Sequence, residues 1–253
     1  MILLGFDTAT RATAVGLRLA DGSTTQARDD PLAEDHPGHA TRLLGMADEV
    51  LSRAGVGWGA LQRVAVGLGP GRFTGLRVGV ATARGLAQSL SVELVGVSTL
   101  RALAQPALVP GEGADRVVAV IDALRGEVFA AGYAADDHGA VRELAIPEPL
   151  RPERLGEAMR RASGEQVTRW LAVGDGAVRY RSDLQSAGCE VPDDDSPLHG
   201  VDARALCELA ERLPAAASYE QLLPDYRRRP DAEGVGGSGR KRGRAPELHG
   251  AGR

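Results

Sequence analysis

The sequence predicts an α/β protein that uses one pattern twice, giving two lobes with a cleft between them. Three observations carry this. An apolar strand ending in an acid, Ile2-Leu3-Leu4-Gly5-Phe6-Asp7, leads through a polar turn at Thr10 and Arg11 into a returning strand at Ala14–Leu19. The same order recurs at Val117–Asp122, a turn at Arg125-Gly126, and Glu127–Tyr133. A further apolar strand running into glycines, Arg63–Gly69, has a counterpart at Trp170–Gly176. Each follows its acid by about 50 to 60 residues, the signature of an internal repeat. Strands interleaved with helical stretches in both copies indicate an α/β class.

Each element has its own signal. Val15, Leu17 and Leu19 alternate as in a half-buried strand, and Ala20-Asp21-Gly22 supplies the turn. After Pro37, the residues Leu43, Leu44, Ala47, Val50 and Leu51 fall at helical spacing, and Gly55 stops that helix. A second helix is predicted from Gly75 to Leu90. Along it Gly75, Gly79, Ala83 and Ala87 recur every four residues. Small residues at that spacing allow a close backbone neighbour, either the chain's own sheet or a partner subunit. In the second copy, Asp136-Asp137-His138-Gly139 reads as a turn and Pro147–Gly164 holds a polar helix. Ala203–Leu213 is an amphipathic helix with Leu206, Leu209, Ala210 and Leu213 on one side.

Composition removes several chemistries. The chain of 253 residues has one lysine, Lys241, and no asparagine. A P-loop lysine, a Schiff-base lysine in the core, a protein kinase site and a Cys-His-Asn triad are therefore excluded. Cys189 and Cys207 form no disulfide framework, which suggests a reducing cytoplasm. The acid at Asp7 argues against a signal peptide, and no uncharged run reaches membrane-spanning length. The net charge of −4 is uneven, because residues from Arg227 onward are rich in Arg and Gly. That tail is expected to be disordered, either inert or an electrostatic arm for RNA phosphates.

The densest segment is Gly67-Leu68-Gly69-Pro70-Gly71-Arg72-Phe73-Thr74-Gly75-Leu76-Arg77-Val78-Gly79, between a strand and a helix. It is a tight turn or an anion cradle; the glycine spacing is not a dinucleotide fingerprint. Asp7 and Thr8 could hold a metal-bound water and a phosphate, or cap the hairpin. His36 and His39 lack a third ligand nearby, so no metal site is expected. The run Asp193-Asp194-Asp195 reads as a solvated loop.

Taken in order, Ile2–Thr10, Val64–Gly79, Gly96-Val97-Ser98-Thr99-Leu100, Asp122–Phe129 and Pro224-Asp225-Tyr226-Arg227 resemble the TsaB (YeaZ) family over residues 1 to about 228. The Gly-Pro-Gly-x-Phe-Thr-Gly-Leu-Arg-x-Gly segment is the specific part. The resemblance implies a duplicated actin-like (ASKHA, ribonuclease H-like) two-lobed fold: an N-terminal lobe at 1–108, a C-terminal lobe at 109–228 and a disordered basic tail at 229–253. It implies a cytoplasmic, non-catalytic subunit of the complex that makes threonylcarbamoyladenosine on tRNA. Its partners would be TsaD, the catalytic subunit, and TsaE, an ATPase. It would form a homodimer when alone and meet tRNA through the complex, with no cofactor, no metal and no membrane.

The same resemblance marks Asp7, Thr8, Gly69, Gly71, Arg72, Thr74 and Gly75 as a vestigial nucleotide-site-like group, with no catalytic residue. Arg72 stands where the family usually has a small serine. TsaD-like enzymes hold metal with a His-x-x-x-His pair; here position 43 is leucine. The partner face is expected at Leu43, Leu44, Ala47, Gly75, Leu76, Gly79, Ala83 and Ala87. The alternatives are an ASKHA phosphotransferase or a TsaD-like metalloenzyme, and an RNA-binding protein acting through the tail.

Overall fold

Among the described residues, ten strands form two five-stranded sheets of one design. The computed structural model describes residues 1–32, 34–108, 114, 116–135, 141–144, 149–163 and 169–227. The first sheet comprises β1 (Leu3–Asp7), β2 (Thr13–Arg18), β3 (Thr24–Asp29), β4 (Arg63–Gly67) and β5 (Glu93–Val97), in the order β3-β2-β1-β4-β5. The second comprises β6 (Arg116–Leu124), β7 (Glu127–Ala135), β8 (Val141–Leu144), β9 (Trp170–Val173) and β10 (Cys189–Glu190), in the order β8-β7-β6-β9-β10. The strand that carries each copy's acid, β1 or β6, pairs antiparallel with its hairpin partner and parallel with β4 or β9. This is the duplicated, two-lobed actin-like arrangement expected from the sequence.

Among the described residues seven α-helices cover the sheets: α1 (His39–Arg53), α2 (Phe73–Leu90), α3 (Thr99–Ala104), α4 (Leu155–Ser163), α5 (Asp175–Arg179), α6 (Arg181–Ser186) and α7 (Ala203–Arg212). The layers run α1/α2, first sheet, α3/α7, second sheet, α4–α6. Leu43, Val50, Val80 and Ala83 pack on Phe6, Val15 and Val64 outside the first sheet. Met159, Ala177 and Leu184 pack on Val118, Val120 and Trp170 outside the second. Between the sheets lies a shared core of Leu100, Leu103, Leu206 and Ala210 with Val95, Ile121, Phe129 and Tyr133. Each large aliphatic side chain there, fully buried, contributes about 1.5–3 kcal/mol.

The middle helices cross over. α3 follows the first sheet but packs on β6 and β7, whereas α7 follows the second sheet and returns to β1 and β2. The division at residues 108 and 109 therefore separates each of these helices from the sheet it covers. Arg63 anchors the returning helix: its Nη1 donates to the carbonyls of Ala210 at 2.7 Å and Leu213 at 3.1 Å, a cation against a helix C-terminus. Residues 216–225 then run back along the first sheet, with Ala216 N donating to Leu94 O and Asp225 N to Leu68 O.

Some expectations change. β2 is not half-buried; Val15 and Leu17 face α1, while a Cβ on Gly16 would lie 2.5 Å from Ala203 O of α7. Alternation fails as a guide here because both faces are covered. α1 ends as predicted at Gly55, whose φ is +68° and whose N–H closes on Ser52 O. α2 starts two residues earlier than its stripe suggests. The Asp136–Gly139 turn and the tail at 229–253 lie outside the described residues.

Candidate functional site

The end of β1 holds the Gly-rich segment through three consecutive residues. Asp7 is 1% exposed. Its Oδ1 accepts from Ala9 N at 2.8 Å and its Oδ2 from Thr99 Oγ1 at 2.6 Å. The Thr99 oxygen in turn accepts from Gly69 N at 3.0 Å, and Thr99 N donates to Gly69 O. Thr8 Oγ1 donates to Gly75 O at 2.8 Å, and Arg72 N donates to Ala9 O at 2.7 Å. Burial pushes the Asp7 carboxyl above its ordinary range, against hydrogen bonds from Thr99 and Ala9 that favour the anion.

The glycines answer to this contact. A Cβ on Gly71 would stand 2.3 Å from Ala9 O, and one on Gly75 1.9 Å from Thr8 O. The space that side chains would take is filled by the chain's own β1–β2 turn. Of the two sequence readings, the tight turn describes these glycines, and the hairpin cap describes Asp7. Thr74 is exposed on the first turn of α2.

Two groups face this turn. His39 opens α1, buried, with Nδ1 2.8 Å from Thr13 Oγ1; burial pushes its pKa down. Leu43, one turn on, is in the core, and His36 is exposed, so the residues present do not fit a helix-borne histidine pair for metal. Among the described residues no cluster of three or more His, Cys, Asp or Glu is placed to hold a metal ion. Arg72 precedes α2, and its charge is felt at both His39 and Asp175. Among the described residues its guanidinium makes no hydrogen bond or ion pair.

The second copy repeats the first with different partners. Asp122 Oδ1 accepts from Leu124 N at 3.0 Å, the same two-residue reach as Asp7 to Ala9. Its Oδ2 accepts from Arg179 Nη1 at 2.9 Å, and Asp122 N donates to Asp175 Oδ1 at 3.1 Å. Burial raises the Asp175 carboxyl, and the neighbouring Asp122 charge adds to this. The sequence reading misses Asp175 and Arg179 as site residues. Their signal lies in Gly174-Asp175-Gly176, the counterpart of the first Gly-rich turn.

A cleft of about 600 Å³ opens between the lobes, lined by Thr10, Arg11, Arg28, Asp175, Asp195 and His199 among others. Its cations are already engaged: Arg11 Nη2 donates to Asp35 O at 2.9 Å, and Arg28 Nη1 to Val201 O at 2.9 Å. Asp7 and Thr8 do not line it.

The expected partner face needs correction. Leu43, Ala47, Leu76, Ala83 and Ala87 are buried in the core under the first sheet, and Gly75 and Gly79 sit over Thr8. The four-residue stripe packs on its own sheet, the other reading its spacing allows. Leu44 differs, at 51% exposed. Beside it Ala40, Gly45, Ala81 and Gly85 are exposed on the outer faces of α1 and α2, with open space above both glycines. No helix among the described residues is long and apolar enough to cross a membrane.

Residues 33–167 match the family model described as TsaD: tRNA N6-adenosine threonylcarbamoyltransferase. The chain is 39% identical over 176 residues to the tRNA threonylcarbamoyladenosine biosynthesis protein TsaB of Escherichia coli, an overlap of 70% of this chain and 72% of that protein. The TsaB of Haemophilus influenzae is 40% identical over 129 residues, covering 51% of this chain and 52% of its own length. Among solved structures, YeaZ from Pseudomonas aeruginosa superposes with a TM-score of 0.70 at 32% identity, covering 89% of this chain and all of that one.

Proposed function

The chain belongs to the TsaB (YeaZ) family, and on that footing we propose that it serves tRNA threonylcarbamoyladenosine biosynthesis as a docking subunit. It supports TsaD in moving the threonylcarbamoyl group from its adenylate to adenosine next to the anticodon. TsaE is a further partner, tRNA is met through the complex, and the chain pairs with itself when alone.

One observation carries the non-catalytic reading. Both oxygens of Asp7 are occupied by protein donors, Ala9 N and Thr99 Oγ1, inside a closed turn. A phosphotransferase using this acid would need it turned toward a nucleotide-bound cation. His39 is likewise committed to Thr13, which weighs against a TsaD-like metalloenzyme.

The docking surface is the outer face of α1 and α2. Leu44 supplies an apolar knob, and Gly45, Ala81 and Gly85 let a partner helix approach closely. The tip of the face is stiffened by Phe73, whose ring lies 5.2 Å from Tyr226 and under the Arg77 guanidinium at 4.0 Å.

The test is reconstitution. Substrate tRNA, TsaD, TsaE and the adenylate-forming enzyme are incubated with and without this chain. Modification is expected only when the chain is present. Equal modification in its absence overturns the proposal.

A further inference from the structure

The N-terminal end of α2 carries cations that the fold leaves uncompensated. Arg72 and Arg77 meet no carboxylate among the described residues, and α2 itself holds no acid from Phe73 to Leu90. Arg77 is exposed and is held by aromatic groups instead. Its guanidinium lies 4.0 Å from the Phe73 ring centroid, and its Nε donates to Tyr226 Oη at 3.3 Å. A ring face orients a guanidinium without neutralising it. We propose that this end of α2, with the basic chain that leaves it, contacts RNA directly, its arginines on phosphates and Tyr226 against a base.

A fixed strap brings the chain here. Arg84 Nη2, on α2, donates to Glu220 O at 2.6 Å and Leu222 O at 2.5 Å. Asp225 N donates to Leu68 O at 2.8 Å, and the Tyr226 ring lies 5.2 Å from Phe73. Arg227, exposed and paired with Asp225 at 2.8 Å, therefore stands next to residues fixed at the first turn of α2. From Arg228 to Arg253 the sequence adds seven basic side chains against three acidic ones, and four of the seven fall within Arg240–Arg244. The whole chain is at −4, so residues 1–227 total −8. An acidic body repels a phosphate backbone, which leaves this end as the place for one. The covalent link makes the α2 arginines and the following ones act on one RNA as tethered sites.

Two features favour RNA over other polyanions. Tyr226 is 44% exposed, and its ring offers an unpaired base a stacking surface that a lipid headgroup cannot use. Residues 228–253 hold no aromatic side chain, and Val235 and Leu248 are their only large aliphatic ones, too little for insertion into a bilayer. Arginine supplies all but one of the cations, and its planar fork matches phosphate oxygens bidentately. The choice of tRNA as the RNA rests on the docking proposal above; the contact itself needs no TsaD.

The experiment uses the full chain alone, with fluorescence anisotropy of a labelled tRNA transcript between about 50 and 300 mM KCl. Binding is expected to weaken with salt, with a log–log slope of about three or more. Arg240→Gln, Lys241→Gln, Arg242→Gln and Arg244→Gln combined should lower that slope by about two or more, and Arg72→Gln or Arg77→Gln each by about one. Tyr226→Ala should weaken a single-stranded RNA probe by about fivefold or more while leaving the slope unchanged. The fourfold variant alters no residue of the strap or of α2, so it decides the matter if Arg77→Gln or Tyr226→Ala folds poorly. The proposal is overturned if the full chain does not bind tRNA at about 50 mM KCl, or if the fourfold variant keeps the wild-type slope. It is equally overturned if vesicles with about 30% phosphatidylserine bind as tightly as tRNA, which would make the partner a membrane. Because TsaD is absent, failure here leaves the docking proposal standing, and failure of the reconstitution leaves this contact standing.

Discussion

Thr99 donates its hydroxyl to Asp7 Oδ2 at 2.6 Å, across 92 residues of sequence. One hydroxyl thereby ties β1, the Gly-rich turn and the start of α3 together, because the same oxygen accepts from Gly69 N. Removing it leaves a buried carboxylate oxygen without its donor. Thr99→Val is expected to destabilise the fold by about 1.5–3 kcal/mol, and Thr99→Ser to recover most of that. Urea unfolding measures both. A Thr99→Val protein as stable as wild type would show that the bond contributes little.

The same pair has a pH signature. The Asp7 carboxyl is raised above its ordinary value of 3.8 by burial, so the native state holds its proton more tightly than the unfolded chain. Stability contributed by this group is full below 3.8 and is lost as pH rises through the native pKa. Thr99→Val takes away a contact that favours the anion and raises that pKa further. Its stability deficit against wild type should therefore be smallest near or below pH 4 and grow toward neutrality. A deficit that widens on acidification contradicts this sign.

Two glycines of α2 should respond in opposite directions. A Cβ added at Gly85 would meet no atom within 4 Å, so Gly85→Ala should gain about 0.5–1 kcal/mol from helix propensity. A Cβ on Gly75 would sit 1.9 Å from Thr8 O, a backbone atom that cannot step aside. Gly75→Ala should therefore lose stability despite the same propensity gain, by about 1–3 kcal/mol. Thermal melts of the two variants side by side give the comparison, and matching signs would refute it.

At the docking face, Leu44→Glu should leave the melting temperature of the isolated chain within about a degree or two, since Leu44 is exposed. It should weaken association with TsaD by about tenfold or more. Analytical ultracentrifugation reads the association. Undiminished binding would move the surface elsewhere on the molecule.

With Asp7 enclosed and the turn glycines filled by backbone, titration of ATP into the isolated chain should give no binding heat. Tight ATP binding by the chain alone would reopen the phosphotransferase reading.

The repeat is legible in the sequence because it is written in local apolar runs. Leu3–Asp7 and Val117–Asp122 announce themselves, and the sheets built around them have the same strand order. β3 is not legible, since Thr24-Thr25-Gln26-Ala27-Arg28-Asp29 is a polar edge strand held mainly by its ladder with β2. β10 has only two residues. The small-residue stripe of α2 marks a close-packing face, but periodicity does not name the neighbour; Thr8, 67 residues away from Gly75, supplies it. Asp175 is hidden for the same reason, because its bond to Asp122 N spans 53 residues.

The crossing of α7 back to the first sheet has a bearing on synthesis. Gly5 lies against Cys207 and Leu206, and Gly16 against Ala203, so the inner surface of the earliest strands is covered by residues made near the end. At translation rates of about 5–20 residues per second, that surface waits roughly ten to forty seconds on the ribosome. During this interval the nascent first half presents bare apolar strands to the cell. Chaperone dependence should thus be concentrated before the codons for 203–212 are read, and a message truncated just short of them should yield an aggregating product rather than a smaller soluble lobe.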